Sequence, residues 1–420
     1  MLKRLTIRDF RSIVNGGKSP LEFGRLNLFI GPNGAGKSNV IEAIGIVSAA
    51  LGGGIAPRDL EQRGVRLSLP KMFKAAFKRR KIPKEFKLTA ETDNCVYALS
   101  AIAGDGSETL NINSERLDIR GNRLFGKNIG GSVRAKLVDD PLLTEASQRA
   151  KIEPFQSLYG ALKAFLPLDE KDRAELDALS RYAIYAPQTA VLRGQALDAR
   201  QAHPLGLTGG RLAAALREIR RSWIGNRKTP YWRNVQDVIR ASGWAEFATS
   251  GRQDPGVVPG AVPSLEDVVY FIDGFMKPER STLSAYDASE GALYLLFVAV
   301  LLHHPDSPRI FALDNVDGTL NPGLVRKLVR NIIDTVAADP TRQVFMTSHN
   351  PAALDELDLF NPDHRVYVVH RIENGHTEFY PVRPDPNWTR EEWERRKGGK
   401  NLSALFVDGE IPYALAGSED

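Results

Sequence analysis

Residues 31–38 read GPNGAGKS and bring glycines, a lysine and a hydroxyl group together at a spacing suited to phosphate binding. Glycines let backbone N–H groups curl around a phosphate chain. In this pattern the lysine reaches the β- and γ-phosphates, and the hydroxyl binds Mg²⁺. The sequence therefore predicts a site for ATP and Mg²⁺ formed by Gly31, Asn33, Gly34, Ala35, Gly36, Lys37, Ser38 and Asn39.

The segments on both sides of this loop fit that role. The apolar run at 26–30 (LNLFI) predicts a buried strand, and residues 39–50 (NVIEAIGIVSAA) predict a helix with one apolar face. A helix that begins at the loop adds the positive end of its dipole to the phosphate site. A chance glycine-rich turn is the alternative, and both flanking patterns count against it.

Two further candidate residues stand at the ends of predicted buried strands. The run RIFALD at 309–314 ends in Asp314, which is placed to hold the Mg²⁺ shell. The run at 343–349, QVFMTSH, ends in His349. The alternatives are an aspartate that caps a helix and an ordinary surface or core histidine.

The segments that flank Asp314 complete the pattern. Ser289, Glu290 and Gly291 precede the apolar helix predicted at 290–303, where N–H groups and the helix dipole can meet an anion. A plain helix cap by Ser289 is the alternative. Residues 317–322 (DGTLNP) begin with Asp317, and the alternative for them is a simple turn before the next helix.

In this order the motifs resemble those of ABC-type ATPase heads of the RecF, SMC and OLD-like group. The opening segments, LKRLTIRDFRSI and LNLFIGPNGAGKSN, are similar to the start of those heads. PLGLTGGRLAAAL at 204–216 and the closing LSALFVDGE resemble stand-alone bacterial AAA-domain ATPases of the abortive-infection, anti-phage kind. The resemblance implies an α/β fold: a P-loop ABC-ATPase head with an antiparallel β lobe and a helical insertion.

The resemblance also implies roles for residues. Asp314 becomes the Walker B aspartate, residues 289–291 the signature that touches the γ-phosphate held by the opposite subunit, and His349 the switch histidine. Residues 317–322 become the D-loop, which contacts the partner subunit. Such a pair of subunits is a homodimer closed around ATP.

Three further residues are nucleotide candidates. Arg11 occupies a position that often approaches the nucleotide in the resembled heads. Gln188 follows a short predicted strand and is the candidate for sensing Mg²⁺ and water. Arg193 is the alternative functional residue of the same segment.

The residue after Asp314 departs from the family pattern. ABC-type heads place a glutamate there to activate the attacking water, whereas this chain has Asn315. An amide can orient a water molecule but is a poor acceptor for its proton. We therefore expect slow hydrolysis, with Asp317 or Glu290 as other possible sources of a carboxylate.

The pattern along the chain suggests four parts. Residues 1–140 form the first part of the head, 141–264 a helical insertion or lid, 265–382 the second part of the head, and 383–420 a tail. The first part contains an antiparallel meander over 86–119, with hairpin turns at Asp105-Gly106 and Gly121-Asn122. Cys95 is the only cysteine, which excludes an internal disulfide, and no apolar run reaches the ~20 residues of a membrane span. We expect a cytoplasmic protein.

A basic segment at 69–87 is the candidate nucleic-acid surface, and an amphipathic helix that docks Phe73 and Phe77 into the core is the alternative. Its cations are Lys71, Lys74, Lys78, Arg79, Arg80 and Lys81. Three functions stay open. The first is a dimeric ATP switch that controls a separate effector protein, by resemblance in anti-phage defence. The others are a RecF-like DNA-binding ATPase and an ATP-dependent scaffold with little hydrolysis.

Overall fold

A computed structural model of the chain describes residues 1–15, 20–103, 108–128, 134–135, 152–198, 202–225, 230–260, 262, 267–318 and 320–414. The strands are β1 Arg4–Phe10, β2 Ile13–Asn15, β3 Leu21–Glu22, β4 Leu26–Ile30, β5 Glu85–Glu91, β6 Cys95–Ile102, β7 Asn111–Ile119, β8 Asn122–Asn128, β9 Arg134–Ala135, β10 Ala183–Tyr185, β11 Ala245–Gly251, β12 Val268–Asp273, β13 Thr282–Ser284, β14 Ile310–Leu313, β15 Gln343–Ser348, β16 His364–Arg371 and β17 Thr377–Val382. The helices are α1 Lys37–Gly52, α2 Pro57–Gln62, α3 Leu158–Leu162, α4 Glu170–Ser180, α5 Thr189–Leu192, α6 Leu212–Gly225, α7 Tyr231–Arg240, α8 Glu290–His303, α9 Pro322–Ala338, α10 Arg390–Arg396 and α11 Leu402–Val407.

A six-stranded sheet in the order β10-β14-β15-β4-β16-β17 positions the predicted site. All neighbouring pairs are parallel except β16 with β17. Every residue of β4, β14 and β15 is buried, as expected for parallel strands covered on both faces. Because parallel strands end at one edge, the chain leaving β4, β14 and β15 brings the phosphate loop, Asp314 and His349 to the same place.

Two hydrophobic cores lie on the two faces of this sheet. Side chains alternate along β4, so that Leu28 joins one core and Phe29 the other. The Leu28 core contains α8, which is buried from Ala292 to Leu302. The Phe29 core contains α1 and the inner face of the antiparallel sheet. The P-loop helix and the helix that follows the signature residues therefore lie on opposite faces.

The antiparallel sheet has eight strands, in the order β2-β1-β5-β6-β7-β8-β9 with β3 beside β1. The meander expected over 86–119 is present as β5, β6 and β7. At the β7–β8 turn, Arg120 and Gly121 both have positive φ, 49° and 79°, as a type I′ turn requires. The other expected turn, Asp105-Gly106, lies outside the described residues.

The segment proposed as a separate insertion, 141–264, shares its elements with the head. Its strand β10 is the edge strand of the six-stranded sheet and pairs with β14, while β11 pairs with β12 in a three-stranded sheet. Helix α4 packs on α1, and α7 packs on α8. The proposed boundary at 264 therefore divides a sheet, because it falls between the paired strands β11 and β12.

The basic segment does not form the expected amphipathic helix. It contains a short 3₁₀ turn, Pro70–Phe73, an isolated bridge between Lys74 and Phe10, and a turn at 78–79. The N–H of Arg11 donates to the carbonyl of Phe73, and the N–H of Ala75 donates to that of Asp9. These backbone bonds to the β1–β2 turn replace helical ones, and Phe73 is still buried. Among the described residues, no helix is both long and apolar enough to cross a membrane.

Candidate active site

At two positions of the phosphate loop, Gly31 and Gly36, only glycine fits the backbone conformation and the space around it. Gly31 has φ 153°, and a Cβ there would lie 2.1 Å from the carbonyl oxygen of Val369. Gly36 has φ 109°, and its Cβ would lie 2.4 Å from the hydroxyl oxygen of Thr377. Gly36 is also the N-cap of α1, without a side chain over the first N–H groups. The loop and helix start thus present N–H groups to an anion.

The Lys37 side chain stays within this loop. Its ammonium group donates to the carbonyl oxygens of Gly31 at 2.7 Å and Pro32 at 3.0 Å. Burial lowers the pKa of Lys37, and the carboxylates of Asp317 and Asp314 oppose that shift. A cation between carbonyls and carboxylates can bind the β- and γ-oxygens of a triphosphate.

Asp314 forms the centre of a small hydroxyl cluster. Its Oδ1 accepts hydrogen bonds from Ser38 Oγ at 3.0 Å and from Thr347 Oγ1 at 2.6 Å. The N–H of Asp314 donates to the carbonyl of Tyr185 in β10, which holds the strand end in place. A hydroxyl beside a carboxylate matches the oxygen ligands that Mg²⁺ takes when phosphates complete its shell. Ser38 and Asp314 would therefore hold the ion, and Mg²⁺ bound there would neutralise charge at the phosphates.

Asn315 has a left-handed backbone, with φ 61°. Its N–H donates to Thr347 Oγ1 at 2.7 Å, and its carbonyl accepts from the Tyr294 hydroxyl at 3.2 Å. Asparagine tolerates this conformation better than most residues. The two backbone bonds hold the Asn315 side chain at the wall of the cleft, directly after Asp314.

His349 and Asp317 form a pair beside the same cleft. The Nδ1 of His349 lies 3.1 Å from Asp317 Oδ2. The His349 side chain is 46% exposed, whereas that of Asp317 is 2% exposed. Among the described residues, no group hydrogen-bonds the buried Asp317 Oδ1. The Asp317 carboxylate therefore holds the His349 ring through Nδ1, so that Nε2 is the ring nitrogen that can face the cleft.

These residues line one cleft of about 410 Å³. Two arginines that the sequence analysis did not single out also line it. Arg66 is held by Glu42, at 2.5 Å, and by Asn39 Oδ1, at 3.0 Å. Arg371 donates from Nε to the carbonyl of Gly34 at 2.8 Å. The lining residues are Asn33, Gly34, Gly36, Lys37, Ser38, Asn39, Arg66, Asp314, Asn315, Thr347, His349 and Arg371.

Comparison with known protein families agrees with this geometry. The family described as "AAA domain, putative AbiEii toxin, Type IV TA system" matches residues 142–355, half of the chain. The chain belongs to this family. A second family, described as "AAA domain", matches residues 4–185 of the ATPase and so includes the phosphate loop.

A short part of the chain is similar in sequence to RecF, and the fold is similar to that of SMC heads. The DNA replication and repair protein RecF of Magnetococcus marinus is 56% identical over 48 residues, which span 11% of this chain and 12% of RecF. The SMC head bound to the C-terminal winged-helix domain of ScpA has a TM-score of 0.53 at 14% identity, covering 91% of this chain and 98% of that one. An SMC head from Pyrococcus furiosus, bound to the C-terminal domain of ScpA, has a TM-score of 0.51 at 12% identity, covering 95% and 98%. The chain has the fold of an ABC-type ATPase head of the RecF/SMC group.

The signature residues lie away from the cleft of their own ATPase head. Ser289 is the N-cap of α8 and accepts a hydrogen bond from the N–H of Ala292 at 3.2 Å. Ser289 and Glu290 are exposed, and neither they nor Gly291 line the cleft. The guanidinium of Arg193 donates to the carbonyl of Ala288 and so holds the chain just before the helix.

Two predicted nucleotide residues point elsewhere. The Arg11 guanidinium lies 2.7 Å from Glu42 Oε2 and 4.6 Å from the centre of the Phe73 ring, outside the cleft lining. Burial lowers the pKa of Arg11, and Glu42 opposes that shift. Gln188 is the N-cap of α5, where its N–H donates to the carbonyl of Thr208, and it does not line the cleft either.

Three residues that line the cleft were not predicted from the sequence, because the local sequence signals for them are weak. Thr347 lies near the end of β15, two residues before His349, and Arg371 is the last residue of β16. Arg66 belongs to an irregular segment, and only its pairing with Glu42 in α1 brings it to the cleft. Among the described residues, no group of three or more histidine, cysteine, aspartate or glutamate side chains could hold a metal by itself.

Proposed function

We propose that this ATPase works as a two-copy switch. Each copy supplies the phosphate loop, Ser38 and Asp314 to one ATP, and the second copy supplies Ser289, Glu290 and Gly291. The main support is that Ser289 is exposed at the start of α8 and does not line the cleft of its own chain. The positive end of a helix dipole suits a γ-phosphate presented by another molecule.

The switch turns over slowly in this proposal. The cleft wall after Asp314 carries the amide of Asn315, which cannot take a proton from water as a carboxylate does. Asp317 is buried behind His349, so its carboxylate acts on water only through the imidazole. ATP then serves mainly as a signal that keeps two copies together. His349, Asp317 and Asn315 are the residues assigned to the reaction.

In this proposal the ATP-bound dimer controls a separate effector protein. The dimer acts in anti-phage defence in the cytoplasm. The family description, which names the AbiEii toxin and a type IV toxin–antitoxin system, supports this setting. Two SMC heads with the same fold were solved with a domain of ScpA bound, which supports a partner that docks on the head.

The test measures two quantities on the same protein: its molar mass in solution and its rate of phosphate release from ATP. Light scattering should show monomer without nucleotide and dimer with ATP and Mg²⁺, while phosphate release stays slow. Lys37→Ala should abolish ATP binding and the dimer. Ser289→Arg should keep ATP binding and lose the dimer, because only the signature face has changed. Fast release from a monomer would refute the switch, and a dimer that never releases phosphate would favour the scaffold.

A RecF-like DNA-binding ATPase is the second candidate. It is favoured by the RecF match and by the exposed cations Lys71, Lys78, Arg79 and Lys81, which have no ion pair among the described residues. DNA binding should then weaken steeply with salt, since each phosphate contact adds about −0.9 to the slope of log K against log salt. Binding that does not change with salt would exclude this candidate.

A further inference from the structure

Two buried hydroxyl groups lie beside the phosphate loop, outside the lining of the cleft. They belong to Ser12, between β1 and β2, and to Thr377, the first residue of β17. Ser12 is 7% exposed and Thr377 is 1% exposed. Burying a hydroxyl group costs free energy unless the group is hydrogen-bonded, so both of them need partners.

A chain of four hydrogen bonds passes through this pair and ends in the phosphate loop. Arg66, which lines the cleft, donates to Asn39 Oδ1 at 3.0 Å, and Asn39 Nδ2 donates to Ser12 Oγ at 2.7 Å. Ser12 Oγ lies 2.6 Å from Thr377 Oγ1. Thr377 Oγ1 donates to the carbonyl oxygen of Ala35 at 2.6 Å. The chain is therefore continuous from a cleft arginine to the backbone of the loop.

The two ends of the chain fix the direction of every bond in it. A guanidinium group can only donate, so Asn39 meets Arg66 with its oxygen and Ser12 with its N–H group. A carbonyl oxygen can only accept, so the Thr377 hydroxyl donates to Ala35. The Ser12 hydroxyl then accepts from Asn39 and donates to Thr377. Each hydroxyl group has one donor bond and one acceptor bond, which favours a single arrangement of the whole chain.

This chain sets the orientation of one peptide group in the phosphate loop. The carbonyl of Ala35 points to Thr377, and a trans peptide directs the N–H of the next residue to the opposite side. That residue is Gly36, which lines the cleft, and no described residue accepts a hydrogen bond from its N–H. The Gly36 N–H is therefore available to a phosphate oxygen in the cleft.

The β16–β17 hairpin holds the loop closely at this point. A Cβ on Gly36 would lie 2.4 Å from Thr377 Oγ1 and 2.9 Å from Ser12 Oγ, so the two hydroxyl groups leave room only for glycine. The N–H of Thr377 donates to the carbonyl of Ser12 at 2.9 Å. Arg371, the last residue of β16, donates to the adjacent loop carbonyl of Gly34 at 2.8 Å. The hairpin thus holds two successive carbonyl groups of the loop.

We propose that Thr377 and Ser12 are positioning residues for phosphate binding, which hold the Gly36 N–H at the angle that a nucleotide phosphate needs. Both act through the loop backbone, because neither side chain lines the cleft. The proposal rests on ATP binding in this cleft, as in the proposed switch, and does not depend on the association of two copies. It gives β17, which carries no nucleotide-binding motif, an effect on the affinity of the loop.

Thr377→Val tests the chain with little change in shape, because valine and threonine are similar in size and both branch at Cβ. Calorimetric titration with ATP and Mg²⁺ should show about tenfold or more weaker binding, since the Ala35 carbonyl loses its donor. Thr377→Ser keeps the hydroxyl group and should restore the affinity. The KM for ATP should rise in Thr377→Val, whereas the turnover number at saturating ATP should change little, because the loop binds bound and reacting nucleotide alike.

Ser100→Ala is the matched control for the loss of a buried hydroxyl group. Ser100 is 2% exposed, and its Oγ lies 2.7 Å from Ser114 Oγ in the antiparallel sheet. This variant should unfold at a lower temperature than the wild type and bind ATP equally well. If Thr377→Val is destabilised like Ser100→Ala and keeps the ATP affinity of the wild type, the chain only supports the fold and the proposal is overturned.

Ser12→Ala breaks the same chain one bond earlier and provides a second test if Thr377→Val does not fold. It removes the donor to the Thr377 hydroxyl and should weaken ATP binding, by less than Thr377→Val does. The double variant should bind ATP as weakly as Thr377→Val alone, because the chain is already broken there. Losses of affinity that multiply in the double variant would show two independent hydroxyl groups and refute the chain.

The outcomes distinguish this positioning role from the switch. Thr377→Val with the ATP affinity of the wild type, beside a wild type that forms its ATP-dependent dimer, overturns the positioning role and leaves the switch standing. Weaker ATP binding by Thr377→Val, beside a wild type that stays monomeric with ATP, supports the positioning role and overturns the switch. A wild type that binds no ATP overturns both.

Discussion

Replacing Asn315 by glutamate should speed ATP hydrolysis at a small cost in stability. The backbone N–H of residue 315 donates to Thr347 Oγ1 and its carbonyl accepts from the Tyr294 hydroxyl. Both bonds belong to the backbone, so Asn315→Glu keeps them. The new carboxylate then extends from the same cleft wall as the amide, next to Asp314.

Two magnitudes follow from this geometry. A positioned general base contributes about 10²- to 10⁴-fold to a rate, so the turnover number should rise at least tenfold even with imperfect placement. Residue 315 has φ 61°, a region that asparagine adopts more readily than glutamate. Such strain costs on the order of 1–3 kcal/mol, a modest part of the stability of a domain.

Asn315→Gln is the matched control, because it has the length and backbone strain of glutamate without the carboxylate. Phosphate release under saturating ATP and thermal unfolding should be measured for the wild type and both variants. Both variants should unfold at similar temperatures, below that of the wild type. Only Asn315→Glu should hydrolyse ATP faster than the wild type. If Asn315→Glu binds ATP and hydrolyses it no faster than Asn315→Gln, the amide is not what limits the reaction.

Three further predictions test other parts of the structure. Thr347→Val removes the hydroxyl that bonds both Asp314 and the N–H of Asn315. This change should lower the free energy of unfolding by about 1–3 kcal/mol and weaken Mg²⁺-dependent nucleotide binding. Thr347→Ser keeps the hydroxyl and should have the stability and the nucleotide affinity of the wild type. Burial lowers the pKa of His303 to about 4, so the unfolded chain binds the proton first, and stability should fall by up to about 3 kcal/mol from pH 7 to pH 4. Urea unfolding at several pH values should show a smaller loss in His303→Gln, and an equal loss would refute this role. Burial also raises the pKa of Cys95 to about 12, so a thiol reagent at pH 8 should label it only after unfolding.

Local patterns were enough to locate the main parts of the ATPase. Buried strands were predicted at 309–313 and 343–347, and the structure has them at Ile310–Leu313 and Gln343–Ser348. The glycine spacing at 31–38 predicted the phosphate loop, and it begins α1 as expected. These predictions succeed because continuous apolar runs, glycine positions and helix caps are set by neighbouring residues.

The basic segment and the middle of the chain show where local patterns were insufficient. An amphipathic helix was one interpretation of residues 69–87, yet backbone bonds at Phe73 and Ala75 attach that segment to the β1–β2 turn. The three-residue strand β10 lies among helices in sequence and becomes an edge of the main sheet. In both cases the partner strand or turn is distant in sequence, and its pairing energy outweighs the local preference.

The sequence by itself determined the phosphate-loop pattern, because the glycines, Lys37 and Ser38 are adjacent in the chain. Only the tertiary structure decided which distant residues complete the cleft. Glu42 holds both Arg11 and Arg66, and only Arg66 reaches the cleft. Glu42 is almost fully buried, and a buried carboxylate must be paired. The position of α1 relative to the β1–β2 turn therefore determines which arginine lines the cleft.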